Sequence, residues 1–308
     1  MIDFIGIDTS NYTTSVAFYD SATDEMHSFR RLLPVKDGEI GVRQSDAVFH
    51  HTMQLPMLFD EAELDLSGIK AVSVSTRPCD REGSYFPCFL VGTANARILA
   101  KTLGVPLFTN SHQQGHIVAV LYSAGRLDLA NETFLAFHVS GGTTEAVLCT
   151  PDHEKIIATQ TLAKSLDLNA GQAVDRVGHA MGLSFPSGKE LEKLALQSDK
   201  KFKPKPFMRE GCVSLSGLQN KCETMLKNGE SHEDTARFCL DFITVALEKM
   251  MQEILRGYGE MPVVFSGGVM SNSIIRDYFT DKYSAVFALP EYSTDNAAGV
   301  AILGKLKY

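Results

Sequence analysis

Short apolar runs closed by small polar turns alternate along this chain with stretches of helical period. Phe4–Ile7 runs into Asp8-Thr9-Ser10-Asn11-Tyr12-Thr13-Thr14 and then Ser15–Tyr19, which predicts two strands joined as a hairpin. Residues 22–44 read as loop and edge strand, with a turn at Lys36-Asp37-Gly38-Glu39. Ser45 is a candidate N-cap for an amphipathic helix to about Glu63 carrying Val48, Phe49, Met53, Leu58 and Phe59. Pro56 should kink or divide that helix. A strand over Ile69–Ser75, a loop over Arg77–Pro87, a helix over Cys88–Leu103 stopped by Gly104, and a strand over Val105–Phe108 follow. Ser111 then caps a helix that begins at His112. Strands alternating with helices predict an α/β lobe.

The hairpin recurs. Phe134–Leu148 repeats its layout at an offset of 130, so that Ser10 falls on Ser140, Thr13 on Thr143 and Thr14 on Thr144. Beyond it, Asn169–Arg176 opens a helix to about Met181, and Ser187 caps another. Asp234 to about Arg256 is a long amphipathic helix whose stripe of Phe238, Phe242, Leu247, Met250 and Ile254 reads as core. Val263–Ser266 is a buried strand entering a Gly267-Gly268 turn and a helix, and Ser293–Gly299 opens the last helix. The division expected is a first lobe over 1–128, a second over 129–295, and a terminal helix over 296–308 packed back on the first.

Several turns carry candidate chemistry. The tips of the two hairpins present hydroxyls and backbone N–H groups suited to phosphate, with Asp8, Thr9, Ser10 and Thr13 in the first and Ser140-Gly141-Gly142 in the second. Any polar hairpin looks similar. His112 and His116 stand four apart, on one face of a helix, and can share a borderline metal ion. Two solvated histidines are the bland alternative. Gln113 occupies the place of the general base in the zinc-protease signature, which excludes that mechanism. Asp175 suits a ribose or a helix surface equally, and Asp295 suits a metal or a helix N-terminus.

Composition narrows the class. With 308 residues the chain has room for a large core, and 44% hydrophobic with 21% charged residues is ordinary for a globular protein. No apolar run reaches membrane-spanning length and no secretory leader is visible, so a cytoplasmic protein with no membrane partner is expected. Six scattered cysteines without a Cys-x-x-Cys pair imply reduced thiols. A net charge of −8 argues against a self-sufficient nucleic-acid binder. Within it, Lys189–Arg209 holds seven basic and three acidic residues, either an RNA-contacting patch or a solvated face.

Two lobes that each open on strand, polar turn and strand resemble the actin-like ATPase superfamily, in whose plan the hairpins grip a nucleotide's phosphates and the Gly267-Gly268 turn takes the adenosine. The whole ordered set resembles the TsaD family, the transferase subunit of tRNA threonylcarbamoyladenosine synthesis. The family's His pair is matched by His112 and His116, its Thr-Asp-Asn-Ala by Thr294–Ala297, its Val-Ser-Gly-Gly by Val139–Gly142, its Ser-Gly-Leu by Ser216–Leu218 and its Gly-Gly-Val-x-x-Asn by Gly267–Asn272. Its Gly-Glu-Ala-Phe-Asp and Pro-Gly-Gly segments are matched in part at Gly171–Asp175 and Pro186–Gly188. The resemblance implies an α/β, two-lobed fold with duplicated lobes. It implies Fe²⁺ or Zn²⁺, one per chain, on His112, His116 and Asp295. It further implies an adenine nucleotide or carbamoyl-adenylate held by His138, Val139, Ser140, Gly141, Gly142, Asp175, Gly188, Gly267, Gly268 and Asn272. The acceptor implied is tRNA, reached through partner proteins that include a homologous actin-like subunit.

The departures are equally specific. Family members carry Cys-Asp-Glu where this chain has Asn11-Tyr12-Thr13, so both acidic groups are gone and no catalytic acid or base is assigned. Gly-Gly-His-Thr has become Gly141-Gly142-Thr143-Thr144, and Gly-Glu-Ala has become Gly171-Gln172-Ala173. The pattern is that of a divergent paralogue, with a carbamoyltransferase on a non-tRNA acceptor, a sugar-kinase relative and a nucleotide-binding scaffold as alternatives.

Overall fold

In the computed structural model, residues 1–10, 12–34 and 42–308 are described. Asn11 and the expected turn at Lys36–Glu39 lie outside them. The elements run β1 (Phe4–Ser10), β2 (Thr13–Asp20), β3 (Glu25–Leu32), α1 (Gln44–Glu61), β4 (Ala71–Arg77), α2 (Phe89–Leu103), β5 (Leu107–Ser111), α3 (His112–Ser123), β6 (Phe134–Val139), β7 (Thr144–Asp152) and β8 (Ile156–Lys164). Then come α4 (Ala170–Ala180), α5 (Gly188–Ala195), β9 (Phe207–Arg209), β10 (Cys212–Ser214), α6 (Ser216–Lys227), α7 (His232–Tyr258), β11 (Val263–Ser266), α8 (Ser273–Tyr283), β12 (Val286–Phe287) and α9 (Ala298–Lys307). None of the described helices is long and apolar enough to cross a membrane.

The chain forms two compact units. Unit 1 comprises Met1–Glu132, Thr150–Gln160 and Thr294–Tyr308, and unit 2 comprises Thr133–Cys149 and Thr161–Ser293. The segment Thr150–Gln160, which a division at 128/129 assigns to the second lobe, groups with unit 1.

Each half of the chain builds the same five-stranded sheet, in the orders β3-β2-β1-β4-β5 and β8-β7-β6-β11-β12. The repetition extends to single residues. Phe4 pairs with Tyr19 and Thr9 with Thr14 in the first hairpin, while Phe134 pairs with Cys149 and Val139 with Thr144 in the second. Six of the seven partner pairs in the first hairpin, all but Ser10 with Thr13, move onto their counterparts at the offset of 130 read from the sequence. The parallel neighbours agree as well, Ile5 with Val72 and Leu135 with Val263. Two matched α/β sheets are the duplicated fold expected.

Unit 1 buries Ile5, Ile7, Val16, Phe18, Val72 and Val74 against Leu55 and Leu58 of α1 and Val91 and Ala96 of α2. In unit 2, Phe137, Phe265 and Phe287 stack across three strands with centroids 5.0 and 5.2 Å apart, and α7 covers them with Phe242, Ile243, Leu247 and Met250.

Three local expectations need correction. The helix α1 starts at Gln44 after Arg43, and the Ser45 hydroxyl donates to Asp46 and caps nothing. Its buried positions are Ala47, His51, Leu55 and Leu58, a stripe at i, i+4, i+8 and i+11. Phe49 and Met53 fall on the other side, 61% and 50% exposed. Pro56 lies inside the undivided helix, where Leu55 and Leu58, buried on either side of it, pack on the sheet and offset the missing backbone bond. The strand expected at 105–108 runs over Leu107–Ser111 and so delivers Ser111 directly to α3.

One position explains how α9 reaches the centre of unit 1. A Cβ on Gly299 would lie 1.9 Å from the carbonyl oxygen of Gly115 in α3, and one on Gly6 of β1 would lie 2.5 Å from the carbonyl oxygen of Ala297. Gly299 within α9 and Gly6 in β1 let α9 press its backbone against a helix and a strand at once.

Candidate metal centre and nucleotide-facing turns

The metal candidate begins with a cap. The Ser111 hydroxyl accepts the Gln114 N–H, and the Gln114 side-chain oxygen accepts the Ser111 N–H, a capping box that fixes the first turn of α3. Gln114 is buried and its amide donates to the carbonyl of Ile157 at 2.7 Å. His112 and His116 therefore project from a rigid turn, with ring centroids 4.3 Å apart and Nε2 atoms 2.9 Å apart.

Asp295 completes the set. It stands three residues ahead of α9 and outside its first turn, so the helix-terminus reading does not apply. The close approach of α9 to α3 carries its Oδ1 to 3.1 Å from Nε2 of His116 and 3.7 Å from Nε2 of His112. Thr13 donates its hydroxyl to the other oxygen, Oδ2, at 3.4 Å.

Asp8 supplies what the spacing did not reveal. Its Oδ2 lies 2.6 Å from Nδ1 of His112 and accepts the Ser75 hydroxyl at 3.2 Å, and the carboxylate is buried. A proton on Nδ1 leaves the Nε2 lone pair of His112 aimed at His116 and Asp295, the carboxylate–histidine arrangement found behind metal ligands. Burial alone would lower the His112 pKa, but the charge and hydrogen bond of Asp8, with Asp295 behind them, raise it to about 9. The same carboxylates that hold a proton on His112 would favour a metal cation in the proton's place. Two nitrogens and one carboxylate oxygen within 4.8 Å of one another fit a borderline divalent metal. Asp8→Asn is accordingly expected to weaken metal binding by about 10–100-fold, measured by competition against a chromogenic chelator. An unchanged affinity would remove Asp8 from the centre.

The four phosphate-loop candidates do not converge. Strand alternation sends their side chains to opposite faces. Asp8 holds His112 and Thr13 holds Asp295, whereas Thr9 donates to the Cys88 carbonyl at 3.0 Å and accepts the Gly92 N–H at 3.1 Å, tying β1 to α2. Ser10 is buried, its hydroxyl without a hydrogen-bond partner among the described residues. Tyr12 is half exposed.

In unit 2 the second hairpin tip is built differently. The Ser140 hydroxyl accepts the N–H groups of Gly142 and Thr143, and nothing lies near where a Cβ would stand on Gly141 or Gly142. The start of α4 packs underneath. Gly171 donates to the Ser140 carbonyl at 3.1 Å, and a Cβ there would come within 2.6 Å of the Gly141 nitrogen. Gly267, at φ +98°, sits against Val139, whose carbonyl oxygen would be 2.3 Å from its Cβ, while Gly268 beside it is open. Gly141, Gly142 and Gly268 thus lie open beside the buried contact of Val139 with Gly267. His138 lies behind it, Nδ1 2.9 Å from the Ser266 hydroxyl.

The other nucleotide candidates are placed as follows. Asn272 is buried and its side-chain oxygen accepts the Ile275 N–H as the cap of α8. Asp175 accepts the Ser187 N–H at 2.9 Å and so positions Gly188 at the start of α5. Ser187 precedes that helix without capping it, because its hydroxyl donates to the Ser184 carbonyl. Asp175 and Ser187 line a cleft of about 310 Å³ with His179, Phe185 and Gln219, three residues that periodicity did not single out.

The family model for TsaD, tRNA N6-adenosine threonylcarbamoyltransferase, matches residues 39–302. The chain is 30% identical to the tRNA N6-adenosine threonylcarbamoyltransferase of Thermosipho melanesiensis, covering 97% of this chain and 93% of that protein. It is 30% identical to that of Aromatoleum aromaticum, with 98% and 90% covered. Among solved structures it is similar to full-length HypF in the phosphate- and nucleotide-bound form, with a TM-score of 0.60 and 13% identity over 99% of this chain and 55% of that one. It is also similar to component A of the (R)-2-hydroxyglutaryl-CoA dehydratase of Acidaminococcus fermentans, with a TM-score of 0.58 and 13% identity over 100% and 99%. These two likenesses concern the fold. From the full-length match of sequence, the chain belongs to the TsaD family of tRNA N6-adenosine threonylcarbamoyltransferases.

Proposed function

We propose that this protein transfers a threonylcarbamoyl group from its adenylate to the N6 amino group of an adenosine in tRNA, in the cytoplasm and together with partner proteins of its pathway. The observation that carries the reading is the convergence of His112, His116 and Asp295, oriented by Asp8, in a chain of this family. In the reaction the amine nitrogen forms a bond to the carbamoyl carbon, the bond from that carbon to the phosphate oxygen breaks, adenylate leaves with the electron pair, and the amine gives up one proton. That chemistry asks for positioning and for stabilisation of charge.

The residues divide the work. His112, His116 and Asp295 would hold Fe²⁺ or Zn²⁺, which when bound supplies Lewis-acid polarisation of a phosphate or carbamate oxygen. Asp8 keeps His112 in the tautomer that binds. The backbone of Ser140–Gly142 and Gly267–Gly268 receives the adenylate through N–H groups, and Asp175 holds the entry to α5 in place. Thr13 stands where the family has an acid; its hydroxyl orients Asp295 and takes no proton from the amine at neutral pH. Solvent is therefore left as the proton acceptor.

The test is direct. Purified protein, the family's partner proteins, threonylcarbamoyl-adenylate and unmodified tRNA are combined, and the digested tRNA is read by mass spectrometry. Threonylcarbamoyl-adenosine is expected, and its formation should cease after chelation and return with added metal. Unmodified tRNA in the complete mixture would overturn the assignment.

A further inference from the structure

A protein of net charge −8 that acts on a polyanion needs somewhere to concentrate positive charge. The segment 200–209 does so in an ordered way. It reads Lys-Lys-Phe-Lys-Pro-Lys-Pro-Phe-Met-Arg, without an acidic residue. Lys200 is consumed locally by Glu230 and Asp234, at 3.1 and 2.7 Å. Lys201, Lys203, Lys205 and Arg209 are exposed, and none of them forms an ion pair among the described residues.

The alternation has a physical cause. Lys203 and Lys205 each precede a proline, which bars the helical region and keeps the backbone extended. The intervening residues anchor the segment: Phe202 packs edge-on against Phe238 at 5.4 Å and donates its N–H to Asp241 at 2.9 Å, and Pro204 and Pro206 are buried. Every second residue is thereby turned outward. At about 3.1–3.3 Å per residue the exposed cations stand about 6–7 Å apart, a step close to that between successive phosphates of one nucleic-acid strand. Phe207 continues the same outward series and is 63% exposed, just before Arg209. The turn after it, Glu210-Gly211, has both residues at positive φ and folds β9 back onto β10, so Arg209 ends the row.

We infer that Lys201, Lys203, Lys205 and Arg209, with Phe207 among them, form a ladder that tracks the sugar–phosphate backbone of the tRNA substrate and stacks one unpaired base on Phe207. A cation row alone would suit any polyanion. The exposed aromatic side chain set within the row is what selects a nucleic acid with splayed bases. This inference rests on the tRNA reading above and specifies where unit 2 meets that substrate.

The experiment uses the full-length protein with its partners and unfractionated tRNA, following binding by fluorescence anisotropy across a salt series. The triple variant Lys201→Gln/Lys203→Gln/Lys205→Gln is expected to bind about tenfold more weakly or worse at about 0.1 M salt. The slope of log K against log salt should become shallower by about 2, because each phosphate neutralised on a single strand adds about 0.7 to it. Phe207→Ala should weaken binding by about fivefold or more with the slope unchanged, since stacking releases no counterions. Metal content and melting midpoint serve as the check that both variants fold. If wild type binds and modifies tRNA while the triple variant keeps its affinity and slope, the ladder is overturned and the transferase reading stands. If wild type neither binds nor modifies tRNA, both fall together.

Discussion

Replacing His116 with alanine is expected to strip the bound metal and to lower threonylcarbamoyl transfer by about 10³-fold or more. The side chain is only 9% exposed and its Nε2 faces both remaining ligand atoms, at 2.9 Å from His112 and 3.1 Å from Asp295. Without it the pair left behind, His112 and Asp295, lies 3.7 Å apart, and two ligands do not hold a borderline divalent ion against water. A Lewis acid contributes several kcal/mol to a charged transition state, and each 1.36 kcal/mol is a factor of ten. Metal analysis of the purified variant and mass spectrometry of the tRNA product check the two halves separately. Full metal occupancy in the alanine variant would place the ion elsewhere.

The second large effect is expected at Gly299, a residue that touches no ligand. Its added methyl group in Gly299→Ala would meet the Gly115 carbonyl oxygen at 1.9 Å and the Ala119 nitrogen at 2.5 Å. Both are backbone atoms and neither can swing aside, so α9 must lift away from α3. A loss of about 3–5 kcal/mol in unfolding free energy is expected, at the upper end for a single substitution. Metal affinity should fall with it, because Asp295 is carried by the segment that moves. Gly257→Ala is the control. It lies inside α7 with nothing near its Cβ position, and should stabilise by about 0.5–1 kcal/mol through helix propensity. Denaturant titration of both variants separates a packing effect from a general intolerance of alanine for glycine.

What the sequence makes legible follows the range over which its signals act. The doubling of the fold is readable because strands repeat a period of two and the offset of 130 preserves all but one of the hairpin partners. The His pair is readable because four residues is one helical turn, and Ser111 marks where that turn begins. Asp295 enters through a family motif, since nothing local distinguishes it from a helix-end carboxylate. The roles of Asp8 and Thr13 are not readable. Each acts across a sequence separation, 104 residues to His112 and 282 to Asp295, that only the packing of β1 and β2 beside α3 and α9 closes. The misplaced cap at Ser45 has the opposite origin. A residue with the right chemistry lies one position inside the helix, where the sheet and not the cap sets the start. At Asn272 and Asp175 the sequence does not show the local hydrogen bonds each makes, to the Ile275 N–H at the start of α8 and to the Ser187 N–H before α5.

The sequence separation of 179 between His116 and Asp295 also sets an order in time. During synthesis the histidine pair emerges with β1 and its Asp8 already made, yet the third ligand is not translated until unit 2 has been. Nor is it seated until the helix behind it has docked on Gly115 and Gly6. On the proposed metal site, a nascent chain would therefore offer only two imidazoles until α9 is made and docked, and a protein arrested before that point would be expected as apoprotein.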